Sequence, residues 1–207
     1  MTTNDVAIVD YKLNNTRSVF NSIQKIGYQA NIIRNPKELT KAKKIILPGV
    51  GAFDVAMKVL VDDGWAEELN NCISKHEIPA LGICLGMQLL SNNSTEGKKS
   101  NGLSFIQGRV RKINPKPHEK IPHIGWNSVI QLKKSKLFNE IPDRSNFYFV
   151  HSYKFEVSKD TNKIGETPFA DGFCSVVNNS NVFGVQFHPE KSSKYGLKLL
   201  KNFIEIC

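Results

Sequence analysis

Cys84 lies between two glycines, in Gly82-Ile83-Cys84-Leu85-Gly86, where apolar residues give way to Met87-Gln88-Leu89-Leu90. A nucleophile framed by glycines at this spacing suits a sharp turn from strand to helix. Such a turn leaves no room for neighbouring Cβ atoms and lifts the sulfur at the carboxyl edge of a sheet. The N-terminus of the following helix then favours the thiolate, the reactive form of the group. The same five residues would also fit a buried cysteine packed between two small neighbours, and the pattern alone leaves both readings open.

A nucleophilic cysteine needs a base, and the base needs an orienting group. The histidines are His76, His118, His123, His151 and His188, and the last closes an apolar strand as Phe187-His188-Pro189-Glu190. Two residues apart at a strand end, His188 and Glu190 can share one side, so that one imidazole nitrogen meets Glu190 and the other Cys84. Taken singly, His188 also suits a hydrogen-bonded strand end, and Glu190 the charge that complements the last helix dipole. Acyl transfer further needs donors for a developing oxyanion. Pro48-Gly49-Val50-Gly51 closes the strand expected beside that of Cys84. Its glycines free the backbone to turn N–H groups toward the sulfur, and the Leu85 N–H is the natural second donor. An ordinary strand-to-helix turn would read the same way.

The elements that must position these groups alternate through the first ninety residues. Apolar runs at 6–9, 30–33, 44–47 and 78–83 read as strands. Between them, 15–26 carries Val19, Phe20, Ile23 and Ile26 at helical spacing before the stop at Gly27, and 53–76 reads as one long helical stretch. Short apolar strands separated by helices predict a parallel sheet covered on both faces. From 102 to 155 the pattern turns strand-like, with 147–155 the clearest strand. Residues 173–178 and 182–187 read as a hairpin around Asn178-Asn179-Ser180-Asn181, and Leu199, Leu200, Phe203 and Ile204 form one stripe of a final helix. The expected fold class is α/β: a three-layer, doubly wound, mostly parallel sheet with an antiparallel extension, as one domain over 1–207.

Composition narrows the function classes. About 40% apolar and 23% charged residues exclude a disordered chain, a collagen-like repeat and a small disulfide scaffold. The net charge is +9, but the lysines are scattered in singles and pairs such as Lys43-Lys44 and Lys133-Lys134, which reads as a solvated surface, so neither a nucleic-acid nor a membrane partner is expected. Cys72, Cys84, Cys174 and Cys207 form no CxxC pair and no metal-ligand spacing, and the start MTTNDVAIVD has no secretory character. A cytoplasmic chain with reduced thiols, no metal and no cofactor is the expectation.

At this point the chain resembles a known family. Gly-Ile-Cys-Leu-Gly-Met-Gln at 82–88 and Phe-His-Pro-Glu at 187–190 look like the two signatures of triad-type glutamine amidotransferases. Pro48-Gly-Val-Gly-Ala-Phe53, Pro122-His-Ile-Gly-Trp-Asn127, Tyr148-Phe-Val-His-Ser-Tyr153 and His188-Pro-Glu-Lys-Ser192 are similar to the glutaminase subunits of imidazole glycerol phosphate synthase, over nearly the whole chain. The resemblance implies hydrolysis of glutamine to glutamate, with ammonia passed to a (β/α)8-barrel cyclase partner in a heterodimer of histidine biosynthesis. It implies Cys84 as nucleophile, His188 as general base and acid, and Glu190 as orienter. Val50, Gly51 and Leu85 match the oxyanion positions. Gln88 and Glu96 match positions that bind the amino-acid end of glutamine, and Ser152 and Tyr153 the strand that holds the substrate. Asn15, Trp126, Tyr148 and Lys191 match positions near the partner.

One departure stands out. The family usually begins Asp-Tyr-Gly-x-Gly-Asn, whereas this chain reads Asp10-Tyr11-Lys12-Leu13-Asn14-Asn15. Drift in a tolerant loop would explain the lost glycines. So would a paralogue that docks on a different barrel and feeds ammonia to amidino-sugar synthesis for surface polysaccharide. A catalytically silent regulatory subunit is a third reading, and the intact Cys84, His188 and Glu190 argue against it.

Overall fold

In the computed structural model, which describes residues 6–13 and 15–207, the first strand β1 (Val6–Val9) is buried on both faces. Val6 and Ile8 pack with Val19 and Ile23 of α1 (Thr16–Lys25) and with Leu199, Leu200 and Phe203 of the C-terminal helix. Ala7 and Val9 turn the other way, into a cluster with Phe53, Ala56, Leu60 and Trp65. This period-two division continues along the central strands, because a sheet between two helical layers must bury both of its faces. The expected three-layer α/β class is the one observed.

After β2 (Ala30–Ile33), β3 (Lys44–Gly49) lies parallel to β1. The expected helix over 53–76 is broken: α2 (Phe53–Asp62) gives way to α3 (Trp65–Asn70), and a wider helical turn follows over Asn71–Lys75. Gly64 between them takes φ +79°, a left-handed conformation no continuous helix contains. The break lets Trp65 enter the core. Next, β4 (Ala80–Cys84) lies parallel to β3 and runs directly into α4 (Leu85–Leu89).

The remainder extends the sheet: β5 (Asn93–Ser94), β6 (Ser100–Asn101), β7 (Gly108–Lys112), β8 (His123–Gln131), β9 (Ser145–His151), β10 (Tyr153–Val157), β11 (Lys163–Thr167), β12 (Phe173–Asn179) and β13 (Val182–Val185), before α5 (Ser193–Ile206). Among the described residues the sheet runs β2-β1-β3-β4-β13-β12-β10-β7-β5-β6, with β11, β8 and β9 branching from β12. The pairs β1–β2, β1–β3, β3–β4 and β4–β13 are parallel, and the ladder turns antiparallel from β13 to β12. The predicted hairpin is β12–β13. The strand expected over 147–155 is two strands, because the chain changes partners at Ser152: β9 pairs with β8, and β10 pairs with β7 and β12. That break sits beside the carboxyl end of β4.

Candidate active site

Cys84 occupies the junction of β4 and α4 with φ +54° and ψ −111°. A residue with a Cβ is held there only against about 1–3 kcal/mol of backbone strain. The flanking glycines make the turn possible. A Cβ on Gly86 would meet the Leu47 carbonyl oxygen at 1.7 Å, and one on Gly82 would meet the Gly86 oxygen at 2.6 Å. Of the two readings of this pentapeptide, the strained elbow is the observed one. Cys84 is 7% exposed, and its Sγ lies 3.9 Å from the Val150 carbonyl oxygen and 3.8 Å from the Gln186 amide nitrogen.

His188 follows β13, whose parallel pairing with β4 sets its side chain beside the elbow. Its Nδ1 lies 2.8 Å from Glu190 Oε1, and both side chains are almost wholly buried. Burial alone would push the imidazole pKa down. The hydrogen bond to Glu190 and the interaction with Cys84, with the charges of both, outweigh that effect and raise it to about 10. Nε2 is buried and has no hydrogen-bond partner, while the ring borders the same cleft as Cys84. The His188 ring therefore keeps its second proton at neutral pH, between a carboxylate and a sulfur.

A cleft of about 340 Å³ opens over this pair, small among ligand pockets and suited to an amino acid. It is lined by Cys84, His188, Val50, Gly51, Leu85, Gln88, Glu96, Ser152 and Tyr153, with Pro122, Val150 and His151 besides. Every expected substrate and oxyanion residue thus borders one space, and Glu190 sits behind it. Burial pushes the Glu96 carboxyl up, opposed by its hydrogen bond from the Phe53 N–H (3.2 Å). The Gln88 amide nitrogen is committed to the Tyr153 carbonyl (3.0 Å) and Gln186 Oε1 (2.9 Å), which leaves Gln88 Oε1 to accept from a cationic group. Leu85 opens α4, so its N–H has no partner within the helix. The Val50 N–H is aimed elsewhere, donating to the Leu13 carbonyl at 3.1 Å. Gly51 has φ +104°, open to glycine and strained for other residues.

His123, His151 and Gln186 were not singled out by sequence reasoning. His151 Nδ1 lies 2.8 Å from the Tyr153 carbonyl, so it donates there, and its Nε2 accepts from His123 Nδ1 at 3.1 Å. His123 Nε2 in turn accepts from Asn127 at 3.2 Å. Both rings are therefore neutral in this arrangement. Burial, ahead of any charge, pushes His123 down and His151 down to about 3. The period-two rule offered a route to Gln186, which lies two residues before His188, and His151 directly precedes the Ser152-Tyr153 segment.

Three of the expected docking residues, Trp126, Tyr148 and Lys191, lie together. Trp126 is paired across strands with Tyr148, their rings 6.0 Å apart, and the Lys191 ammonium sits 6.0 Å from the Tyr148 ring. Asn15 precedes α1, which packs against the Pro189–Lys191 turn, and its Oδ1 accepts from Ser18 at 2.9 Å. Lys12 has φ +73°, so the position keeps a conformation natural to the usual glycine; Asn14, the other changed position, lies outside the described residues. Among the described residues no cluster of three or more His, Cys, Asp or Glu side chains is arranged for a metal ion. Nor is any helix long and apolar enough to cross a membrane.

Comparison with known proteins gives a consistent picture. The family described as glutamine amidotransferase class-I matches residues 7–207. The imidazole glycerol phosphate synthase subunit HisH 2 of Methanococcus maripaludis is 45% identical over 200 residues, covering 97% of this chain and 98% of the relative. Subunit HisH 1 of Campylobacter jejuni is 43% identical over 201 residues, covering 97% and 100%. Among solved structures, a glutamine amidotransferase superposes with a TM-score of 0.76 at 16% identity over 97% of each chain. PurLQS from Thermotoga maritima superposes with 0.75 at 17% identity over 98% of each. These last two likenesses are of fold.

Proposed function

The chain belongs to the glutamine amidotransferase class-I family, and on that premise we propose that it is the glutaminase subunit of an imidazole glycerol phosphate synthase. It works as one domain, hydrolysing glutamine to glutamate and passing ammonia to a (β/α)8-barrel cyclase in a cytoplasmic heterodimer. The observation that carries this reading is the His188 imidazole between the elbow sulfur and Glu190, under a cleft that gathers the substrate positions.

Each step has a residue of this chain. Glu96 and Gln88 Oε1 hold the α-ammonium of glutamine, and the backbone of Ser152 and Tyr153 aligns its side chain. The Cys84 sulfur attacks the carboxamide carbon while its proton rests on His188, which Glu190 orients and stabilises as the cation. Negative charge collects on the former carbonyl oxygen, where the Leu85 N–H and a turned Val50 N–H donate. Collapse breaks the C–N bond, His188 protonates the leaving nitrogen, and ammonia departs from a thioester. A water molecule, deprotonated by His188, attacks that thioester and releases glutamate and the free thiol.

Because the Val50 N–H is bonded to Leu13, the isolated chain is a poor glutaminase and a loaded partner turns the oxyanion segment. A missing donor accounts for about 10²–10³ in rate. Docking of a barrel on Asn15, Trp126, Tyr148 and Lys191 supplies the bias. The test is glutamate release with and without the barrel and its acceptor ligand; full speed from the chain alone would defeat the coupling. The lysine at position 12 supports a second reading, in which the barrel belongs to amidino-sugar synthesis. Stimulation by that barrel and none by the histidine-pathway barrel would establish it.

A further inference from the structure

Tyr11 is wholly buried, and its hydroxyl has no hydrogen-bond partner. A buried hydroxyl left unpaired is destabilising, which makes such a group a candidate for work in another state. A Cβ on Gly49 would meet the Tyr11 oxygen at 2.5 Å, so the hydroxyl rests against the Gly49 α-carbon and needs a glycine there. Despite this closeness the hydroxyl makes no hydrogen bond to the Gly49 carbonyl in this state. At the other end of the same peptide unit, the Val50 N–H donates to Leu13.

A peptide unit is planar and turns as a whole. When the Val50 N–H leaves Leu13 for the oxyanion, the Gly49 carbonyl swings with it and must find a new donor in a buried place. We propose that the Tyr11 hydroxyl is that donor: it bonds the Gly49 carbonyl only in the turned state and so holds the Val50 N–H on the oxyanion. The exchange balances, because the Leu13 carbonyl belongs to a partly exposed residue and passes to water, while the unpaired hydroxyl gains its partner. Tyr11 is then a positioning residue, acting through Val50 and not touching glutamine. The proposal rests on the glutaminase reading above and adds to it the group that stabilises the active oxyanion segment.

The test is Tyr11→Phe, assayed in complex with the barrel that stimulates the wild-type chain. The loss of one bond formed only in the active state lowers stimulated kcat about five- to tenfold and leaves KM for glutamine unchanged. The Tm of the free variant stays level or rises, since its hydroxyl had no partner to lose. Full stimulation of Tyr11→Phe would overturn the proposal while leaving the glutaminase reading intact. So would a lower Tm of the free variant, which would reveal a partner already present at rest. A wild-type chain that released no glutamate with either barrel would overturn the glutaminase reading, and this proposal with it.

Discussion

Cys84 and Val50 face one cleft from neighbouring strands, yet the first is locked and the second is held off by a hydrogen bond. Around Cys84, the Leu47 carbonyl closes on Gly86, the backbone takes φ +54°, and His188 and Glu190 are buried in the short turn that follows β13. Around Val50, the residue is 41% exposed, Gly51 takes φ +104°, and the N–H is bonded to a turn that lacks the family's usual glycine at position 12. The difference separates what folding completes from what it leaves open. On the proposed mechanism the nucleophile and its base are finished when the chain folds, whereas the oxyanion donor depends on a change of backbone state. Damage at the elbow should therefore act whatever the partner does, and damage at the turn should act mainly on the response to the partner.

The largest effect belongs to Cys84→Ala, which abolishes glutamate release both alone and with the barrel, while the fold persists because the turn's strain does not come from sulfur. A glutamine-like electrophile should also label Cys84 alone. Burial pushes the other thiols up, Cys72 and Cys207 to about 11 and Cys174 to about 12, so they hold little thiolate at neutral pH. Peptide mapping checks this, and label found chiefly on another cysteine would remove Cys84 from the chemistry.

His188→Asn comes next, with a loss of about 10²–10⁴-fold, because the group carries protons in both half-reactions. Glu190→Gln loses less, since the carboxylate orients and stabilises the ring without exchanging a proton with substrate. Both losses should be the same fraction with and without the barrel. A loss confined to the stimulated state would erase the contrast between the two edges, and a greater loss from Glu190→Gln would reverse the two roles.

The elbow was the more legible edge because its geometry comes from local chemistry. Glycine at 82 and 86 is a steric requirement within five residues, and His188 and Glu190 are two positions apart in one short turn after β13. The orientation of the Val50 N–H was not legible, because it depends on Leu13, nearly forty residues earlier and in another loop. The same holds for His151 and His123: the pair exists because β8 and β9 bring these positions into register, and neither residue shows this in its own neighbourhood. Elsewhere the alternation of strands and helices gave the parallel half of the sheet. Apolar periodicity ran straight through Gly64 and Ser152, where one glycine conformation and one change of pairing break the elements.

The buried histidines give the comparison a pH signature in the free chain. Unfolded, a histidine titrates near 6.5. His151 is pushed to about 3, first by burial, against the raising effect of the Tyr153 carbonyl and with the nearby His123 and His188 charges. Between pH 6.5 and 3 the unfolded chain binds a proton that the folded chain refuses, so stability falls on acidification. His188 has the opposite sign. Its pKa is raised to about 10, so its contribution is complete below 6.5 and is lost as pH climbs toward 10. Thermal melts should form a dome, with an acid limb worth roughly 5 °C or more, at about 2–4 °C per kcal/mol for a chain of this size. His151→Asn, which can keep a donor on the Tyr153 carbonyl, should flatten the acid limb and leave the alkaline one. An unchanged acid limb would assign it to other groups.

The smallest effect, and the one that reaches the open edge directly, is that of Lys12→Gly. Lys12 sits at φ +73°, its N–H bonded to Asp10 Oδ1 at 3.2 Å and its ammonium 3.7 Å from Asp63. The left-handed conformation costs a lysine about 1–2 kcal/mol. Glycine removes that strain, but it loses more backbone freedom on folding and gives up an ion pair between exposed side chains that is worth little. The balance favours the variant by roughly 0.5–1 kcal/mol, a rise in Tm of about 1–4 °C. Glutamate release by the free chain should hardly change, because the substitution leaves the cleft lining intact. Stimulation is the informative quantity, since position 12 neighbours the Leu13 carbonyl that holds the Val50 N–H. If the turn has merely drifted, Lys12→Gly will respond to the same barrel as the parent and to the same extent. If the turn is fitted to a particular partner, stimulation by that barrel will fall while the Tm still rises, a stabilised subunit that answers its partner less well. A variant that lost Tm as well would show that the lysine contributes to folding, and the contrast between a finished elbow and an open docking turn would then have to be drawn elsewhere than at position 12.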